Sequence, residues 1–149
     1  MGIFGPAGTG KSYIINSLKS IMNEHLLLTA STGKAGVAIN GSTIDSVLSI
    51  PPNRKFKKLG DQAKYGLAKR LEKCSYILIE EVSMIGLKKL GKINDRLQEV
   101  GNPEQIFGGF NIIFVGDLLQ LPPVMDREIF FKDLKSLEGL KLSEETKQL

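Results

Sequence analysis

Apolar residues follow two patterns along this chain, and the two patterns alternate. Short continuous apolar runs, which are typical of buried strands, occupy residues 3–4, 26–30, 76–79 and 111–115. Segments in which apolar residues recur every three or four positions predict helices at residues 14–22, 35–40, 61–73 and 84–100. Residues 41–43, Gly-Ser-Thr, are predicted to interrupt the chain between elements. The alternation favours an α/β domain in three layers, with a mainly parallel sheet covered by helices on both faces.

The composition limits the possible classes of function. At 149 residues the chain has room for one domain with its own core. Its single cysteine, Cys74, and single histidine, His25, exclude a disulfide framework and a His/Cys metal site. No apolar run reaches the roughly 20 residues of a membrane span, and the N-terminus has no signal-peptide pattern. We expect a soluble intracellular protein, in the nucleus or mitochondrion if eukaryotic and in the cytoplasm if bacterial or viral.

The positive charge of the chain is concentrated in one stretch. Residues 53–73 contain eight lysines and arginines against two acidic residues, whereas the whole chain has a net charge of only +4. Two interpretations of this stretch are open. It is a solvated surface, or it is a binding surface for a polyanion, in which each lysine that neutralises a phosphate releases a counterion.

One motif carries the clearest chemistry. The phosphate-binding pattern G-x-x-x-x-G-K-[ST] is matched in full by Gly5, Pro6, Ala7, Gly8, Thr9, Gly10, Lys11 and Ser12. The glycines let the backbone turn its N–H groups around a phosphate, and the following helix directs its positive end to the same place. Lys11 is suited to the β- and γ-phosphates of ATP, and the Ser12 hydroxyl is suited to Mg²⁺. The alternative is a glycine-rich turn that ends in Lys-Ser by chance.

Polar residues of the kind that act on phosphates follow two other predicted strands. Glu80 and Glu81 come directly after one strand, and Asp117 and Gln120 follow another. The carboxyl ends of parallel strands share one edge of a sheet, so these residues are predicted to meet the phosphate loop there. Glu80 would help to hold Mg²⁺, Glu81 would activate water and Gln120 would sense the γ-phosphate. The alternative is a set of solvated polar groups at strand ends.

Four segments together resemble the Pif-family (petite integration frequency) DNA helicases, relatives of the RecD-like helicases of superfamily one. The segments are residues 5–12, 29–35, 77–84 and 109–124, and the last contains the specific run Gly-Asp-x-x-Gln-Leu-Pro-Pro-Val. The resemblance covers essentially the whole chain and implies a RecA-like P-loop domain, the first motor domain of a helicase. It also implies ATP and Mg²⁺ as cofactors, single-stranded DNA as partner, 5′-to-3′ movement, and a role in DNA repair, recombination or telomere maintenance.

The resemblance also implies roles for individual residues. Lys11 and Ser12 would be the Walker A pair, Glu80 the Mg²⁺-associated acid and Glu81 the water-activating acid. Gln120 would couple the γ-phosphate to the DNA. The single-stranded DNA path would be lined by Thr32, Gly33, Lys34, Ser42 and Thr43. The basic stretch around residues 51–73, with Lys55, Lys57 and Lys58, falls where such helicases carry a small strand-separating insertion. Lys147 falls where an arginine contacts nucleotide.

Three residues depart from the family pattern. Glu80 stands where the family has aspartate, Asp45 where it usually has histidine, and Lys147 where it has arginine. We expect residues 1–149 to form one motor domain that is shortened at both ends and lacks the second motor domain with its arginine finger. Two alternatives stay open: a truncated, inactive remnant that retains only nucleotide or nucleic-acid binding, and a DNA-binding module that uses the basic stretch alone.

Overall fold

The chain folds around a parallel β-sheet. The computed structural model describes residues 1–51, 55–117 and 119–129. Within these residues the sheet has five strands in the order β1-β5-β4-β2-β3. The strands are β1 (Gly2–Phe4), β2 (Leu26–Ala30), β3 (Ser42–Thr43), β4 (Tyr76–Glu80) and β5 (Asn111–Gly116). Every pair of neighbours runs parallel, as predicted. Residues 42–43, which were expected to lie in a break between elements, instead pair with the end of β2 as a short edge strand.

Helices connect the strands. They are α1 (Lys11–Met22), α2 (Gly33–Ala38), α3 (Ile44–Val47), α4 (Asp61–Leu71) and α5 (Leu87–Val100). Short 3₁₀ turns occupy Asn23–His25, Val82–Met84 and Ile106–Gly109. The prediction that the last helix begins at residue 84 was wrong by three residues. Ile85 is extended, and the N-terminal N–H groups of Lys88 and Lys89 are instead capped by the Asp126 carboxylate at 3.2 Å.

The sheet is buried on both faces, which confirms the three-layer prediction. On one face Ile77 and Ile79 of β4 belong to the same core as Ile93 and Leu97 of α5. On the other face the intervening Leu78 packs in a second core with Ile15 of α1. Alternate residues of one strand therefore serve two cores, which explains why these strands read as continuous apolar runs. None of the helices among the described residues has the length and apolarity to cross a membrane.

The strand register brings the carboxyl ends of the strands to one edge of the sheet. Phe4 pairs with Gly116, and Ala30 pairs with both Glu80 and Thr43. The residues that follow these strands therefore start from one line across the sheet. This is the edge at which ligands bind in open parallel sheets.

Candidate active site

The loop between β1 and α1 has the backbone that phosphate binding requires. Gly8 and Gly10 have φ angles of 80° and 87°, in the left-handed region that favours glycine. The Gly5 N–H donates to the Gly116 carbonyl at 3.1 Å, which fixes the start of the loop to β5. The Thr9 hydroxyl donates to the Pro6 carbonyl at 2.8 Å and closes the loop on itself. The loop is therefore anchored at its base and tightly turned at its tip.

Lys11 folds back over this loop. Its Nζ atom donates to the carbonyl oxygens of Gly5 at 2.5 Å and Pro6 at 2.7 Å. These contacts hold the ammonium group at the mouth of the loop. The positive charge of Lys11 also lowers the pKa of Glu80 at the end of β4. This effect is smaller than those of burial and of the negative charge of Glu81, which both raise the same pKa.

The two acids after β4 are held in different ways. Burial raises the pKa of Glu80 above its ordinary value, and the negative charge of Glu81 raises it further. Glu81 has a left-handed backbone, with φ 60° and ψ 45°, and its carboxylate accepts a hydrogen bond of 2.7 Å from the Thr32 hydroxyl. The Glu81 backbone carbonyl accepts another, of 2.8 Å, from the Ser31 hydroxyl. The Glu81 carboxylate is thus held by the residues that follow β2, whereas the Glu80 carboxylate makes no hydrogen bond among the described residues.

Most of the predicted nucleotide residues converge on one cleft of about 860 Å³, although Gly5, Pro6 and Thr9 of the loop do not line it. It is lined by the loop residues Ala7, Gly8, Gly10, Lys11 and Ser12, by Glu80, Glu81, Gly116, Asp117 and Gln120, and by Thr32, Lys34, Ala35 and Ala38. The cleft therefore joins the phosphate loop, the acid pair and the segment after β5. Two of the residues predicted to contact DNA, Thr32 and Lys34, also face this cleft. The small residues of α2 that form its wall, Ala35 and Ala38, carried no signal that distinguished them in the sequence.

The other residues predicted to contact DNA do not line this cleft. Ser42 and Thr43 form the edge strand β3, and the Thr43 hydroxyl caps α3 by accepting from the Ser46 N–H at 3.2 Å. Gly33 is exposed at the start of α2. Lys147, predicted to contact nucleotide, falls outside the described residues.

The basic lysines line a second, separate groove. Lys55, Lys57 and Lys58 are exposed along a groove of about 740 Å³ whose floor includes Arg96 of α5. Arg96 is only 1% exposed. Its guanidinium lies 4.5 Å from the centre of the Phe56 ring. A buried cation thus supports the backbone that carries the exposed cations.

The structural role of Arg96 was not predicted from the sequence. The one available signal is its position three residues after Ile93, on the buried face of an amphipathic helix. A charged residue at such a position has to find partners inside the fold. The spacing could have shown that Arg96 is buried, but not which carbonyls it meets, because the residues that supply them are 39 to 48 positions away in sequence.

Comparisons with known proteins agree with this geometry. A family model described as PIF1-like helicase matches residues 1–137. The ATP-dependent DNA helicase PIF1 of Saccharomyces cerevisiae (strain YJM789) is 33% identical over 130 residues, which cover 80% of this chain and 15% of that protein. Among solved structures, Bacteroides Pif1 bound to single-stranded DNA has a TM-score of 0.72 and 30% identity, over 85% of this chain and 30% of the other. Bacteroides Pif1 with ADP-AlF₃ and single-stranded DNA gives a TM-score of 0.72 and 30% identity, over 84% and 30%.

Proposed function

The chain belongs to the PIF1-like helicase family, and we propose that residues 1–149 form the ATP-binding motor domain of an ATP-dependent DNA helicase. In this proposal, turnover of Mg·ATP in the cleft drives movement along single-stranded DNA, 5′-to-3′ as the family resemblance implies, in genome maintenance. The chain spans 15% of the yeast relative's length, so the activity of a whole helicase is part of the proposal. The observation that carries it is the convergence of the phosphate loop, the acid pair and Gln120 on one cleft.

ATP enters with its phosphates in the loop. The backbone N–H groups between Gly5 and Ser12 surround the β-phosphate, and the left-handed glycines supply the necessary bend. Lys11 exchanges its two loop carbonyls for phosphate oxygens. A phosphate oxygen is the stronger acceptor because it is ionised, so this exchange favours the nucleotide complex.

Magnesium suits the oxygen atoms that the cleft offers. The Ser12 hydroxyl and the Glu80 carboxylate both line it, and among the described residues no cluster of three or more His, Cys, Asp or Glu forms a metal cage. Mg²⁺ is commonly held by one or two protein oxygens together with substrate phosphates. When bound, the ion would neutralise charge on the transferred phosphoryl group.

Hydrolysis requires a base beside the γ-phosphate. Glu81 follows β4 and lines the same cleft as the phosphate loop, and we assign to it the orientation and deprotonation of the attacking water. Gln120 is exposed at the same cleft and would sense whether the γ-phosphate is present. We also propose that Lys147 contacts the nucleotide, and this assignment rests on the family resemblance alone.

Single-stranded DNA would follow two sets of residues. The turn Thr32-Gly33-Lys34 and the strand Ser42-Thr43 leave the same edge of the sheet as the acid pair, which supports a path that passes beside the nucleotide. The groove with Lys55, Lys57 and Lys58 would add electrostatic attraction to the phosphate backbone. A solved relative, Bacteroides Pif1, binds single-stranded DNA, which supports this class of partner.

Nucleotide binding is tested with Lys11→Met against Lys19→Met, a control on the exposed side of the same helix. The intact proteins are titrated with a fluorescent ATP analogue, with and without Mg²⁺. We expect Lys11→Met to weaken binding about 10- to 100-fold, the range of a hydrogen bond to a charged group, and the control to bind like wild type. A folded wild-type chain without saturable, Mg²⁺-dependent binding would overturn the proposal and favour the inactive remnant.

DNA binding is tested by replacing Lys55, Lys57 and Lys58 together with glutamine. The control replaces three lysines on other helices, Lys19, Lys88 and Lys92. Affinity for an oligothymidylate is measured over a range of salt concentrations. We expect the first triple variant to reduce the slope of log affinity against log salt by about 2, since each contact to single-stranded DNA contributes roughly 0.7. Equal slopes in both triple variants would remove the basic groove from the DNA path.

A further inference from the structure

Three hydrogen bonds join the end of β2 to the end of β4 at the cleft. The Ser31 N–H donates to the Glu80 carbonyl at 3.0 Å, and the Ser31 hydroxyl donates to the Glu81 carbonyl at 2.8 Å. The third bond, from the Thr32 hydroxyl to the Glu81 Oε2 atom at 2.7 Å, involves the reactive carboxylate itself. The first two bonds fix the backbone. The third determines what the Glu81 carboxylate can do.

Thr32 has only one proton to donate. Its oxygen also accepts a hydrogen bond of 3.3 Å from the Ala35 N–H, as the cap of α2, so that oxygen is fixed in place. The hydroxyl proton can go to Glu81 or to another acceptor, but not to both. The bond to Thr32 fixes the direction in which the Glu81 carboxylate points, towards the turn that follows β2.

We propose that Thr32 is a positioning residue that holds the Glu81 carboxylate away from its catalytic role until a phosphate of single-stranded DNA accepts the Thr32 hydrogen bond in place of Glu81. This inference rests on the proposed function, in which Glu81 activates water and the Thr32-Gly33-Lys34 turn contacts DNA. The DNA and the hydrolytic base then compete for one hydrogen-bond donor. ATP turnover is slow while the Thr32 hydroxyl donates to Glu81 and faster while it donates to DNA.

The surroundings of Thr32 favour this competition. Thr32 is partly exposed, and Lys34, two residues further along, presents an exposed cation at the same cleft. A backbone phosphate attracted by Lys34 is a hydrogen-bond acceptor only, so it competes with Glu81 for the Thr32 hydroxyl and cannot substitute for Thr32 as a donor. Without this bond the Glu81 carboxylate can turn towards a water molecule beside the phosphate loop, which lines the same cleft.

The test measures steady-state ATP hydrolysis by the intact protein, with and without oligothymidylate, for wild type and three variants. Thr32→Val removes the hydroxyl at nearly constant shape. Thr32→Gly also removes it, but glycine is tolerated at helix caps, so this variant remains informative if Thr32→Val does not fold. Thr32→Ser keeps the hydroxyl. Circular dichroism melts confirm that each protein is folded.

We expect Thr32→Val and Thr32→Gly to raise the DNA-independent kcat about tenfold, the low end for a hydrogen bond to a charged group. The KM for ATP should not change, and the stimulation by DNA should largely disappear. Thr32→Ser should restore both the low basal rate and the stimulation. Equal losses of basal and stimulated kcat would show that Thr32 merely builds the site, and rates unchanged from wild type would show that the bond has no effect; either result overturns the proposal. A wild-type protein that neither binds nor hydrolyses ATP would instead overturn the proposed function, on which this inference depends.

Discussion

Arg96 is predicted to be among the most important residues for stability, although it lies outside the nucleotide cleft. Its guanidinium donates to the carbonyls of Leu48 at 3.0 Å, Ser49 at 3.3 Å and Lys57 at 3.0 Å. It also forms an ion pair of 2.9 Å with Glu99, whose side chain is 12% exposed. One buried cation therefore joins α5, the end of α3 and the basic segment.

Replacement of Arg96 by methionine preserves much of the volume and removes all of these bonds. The three carbonyls lose their donor, and the Glu99 carboxylate keeps only the Leu59 N–H, at 2.9 Å, among the bonds described. Breaking a buried pair from one side typically costs about 3–5 kcal/mol, because a charge is left buried without its partner. A domain of this kind is stable by about 5–15 kcal/mol in total, so the variant should lose a large fraction of the free energy of unfolding.

The assay is urea unfolding followed by circular dichroism, with Arg96→Lys and the double variant Arg96→Met, Glu99→Gln as matched controls. Arg96→Lys keeps the charge but loses the planar fork, so it should lose part of the stability. The double variant should lose less than the sum of its two single changes, since no unpaired charge remains. A loss below about 1 kcal/mol for Arg96→Met, with an unchanged urea dependence, would refute the reasoning. The cation would then contribute no more than a surface ion pair.

Three further predictions follow from individual contacts. Glu80→Gln should stabilise the ligand-free protein at neutral pH. Because burial raises the pKa of Glu80 above 4.5, the gain should shrink as the pH falls through that raised pKa towards 4.5, which thermal melts over a pH series would detect. Lys89→Met should cost roughly 1 kcal/mol through the loss of its 2.6 Å ion pair with Asp45, and a double variant with Asp45→Asn should recover part of that loss in urea unfolding. Gly108→Ala should lower the melting temperature by several degrees, since Gly108 has a φ of 65° and an added Cβ would clash with the Leu97 carbonyl; Gly66→Ala, in open space on α4, should not.

Most of the fold could be predicted from local patterns in the sequence. The strand Leu26–Ala30 was predicted with its observed bounds because five apolar or small residues stand between clear breaks. The phosphate loop was predicted because its chemistry depends on neighbours in sequence. Glu80, Glu81 and Gln120 were expected at one edge because parallel strands share their carboxyl ends, and the structure brings them to one cleft.

The features that could not be predicted depend on residues that are distant in sequence. The bond from Thr32 to Glu81 joins residues 49 positions apart, and it exists because Ala30 happens to pair with Glu80. The cap of α5 comes from Asp126, 37 to 38 positions beyond the N–H groups that it accepts. Periodicity alone therefore placed the start of this helix too early, at residue 84. Such contacts depend on the register between paired strands and on how distant segments pack against each other. Neither can be predicted from a local sequence pattern.

Of the two acids after β4, the departure from the family pattern falls on Glu80, whose carboxylate is not held by a hydrogen bond among the described residues. A side chain that the protein fixes cannot be lengthened without moving its charged group, and a misplacement of about 1 Å can cost on the order of 100-fold in rate. Glu81 is fixed in that sense by two hydrogen bonds, one from Thr32 to its carboxylate and one from Ser31 to its backbone carbonyl. The Glu80 carboxylate makes no hydrogen bond among the described residues, so its extra methylene can be absorbed by a change of rotamer. Asp45, the other departure within the described part, is compensated by its ion pair with Lys89. Both changes are therefore accommodated by the surrounding structure, so neither departure by itself indicates that the chain has decayed.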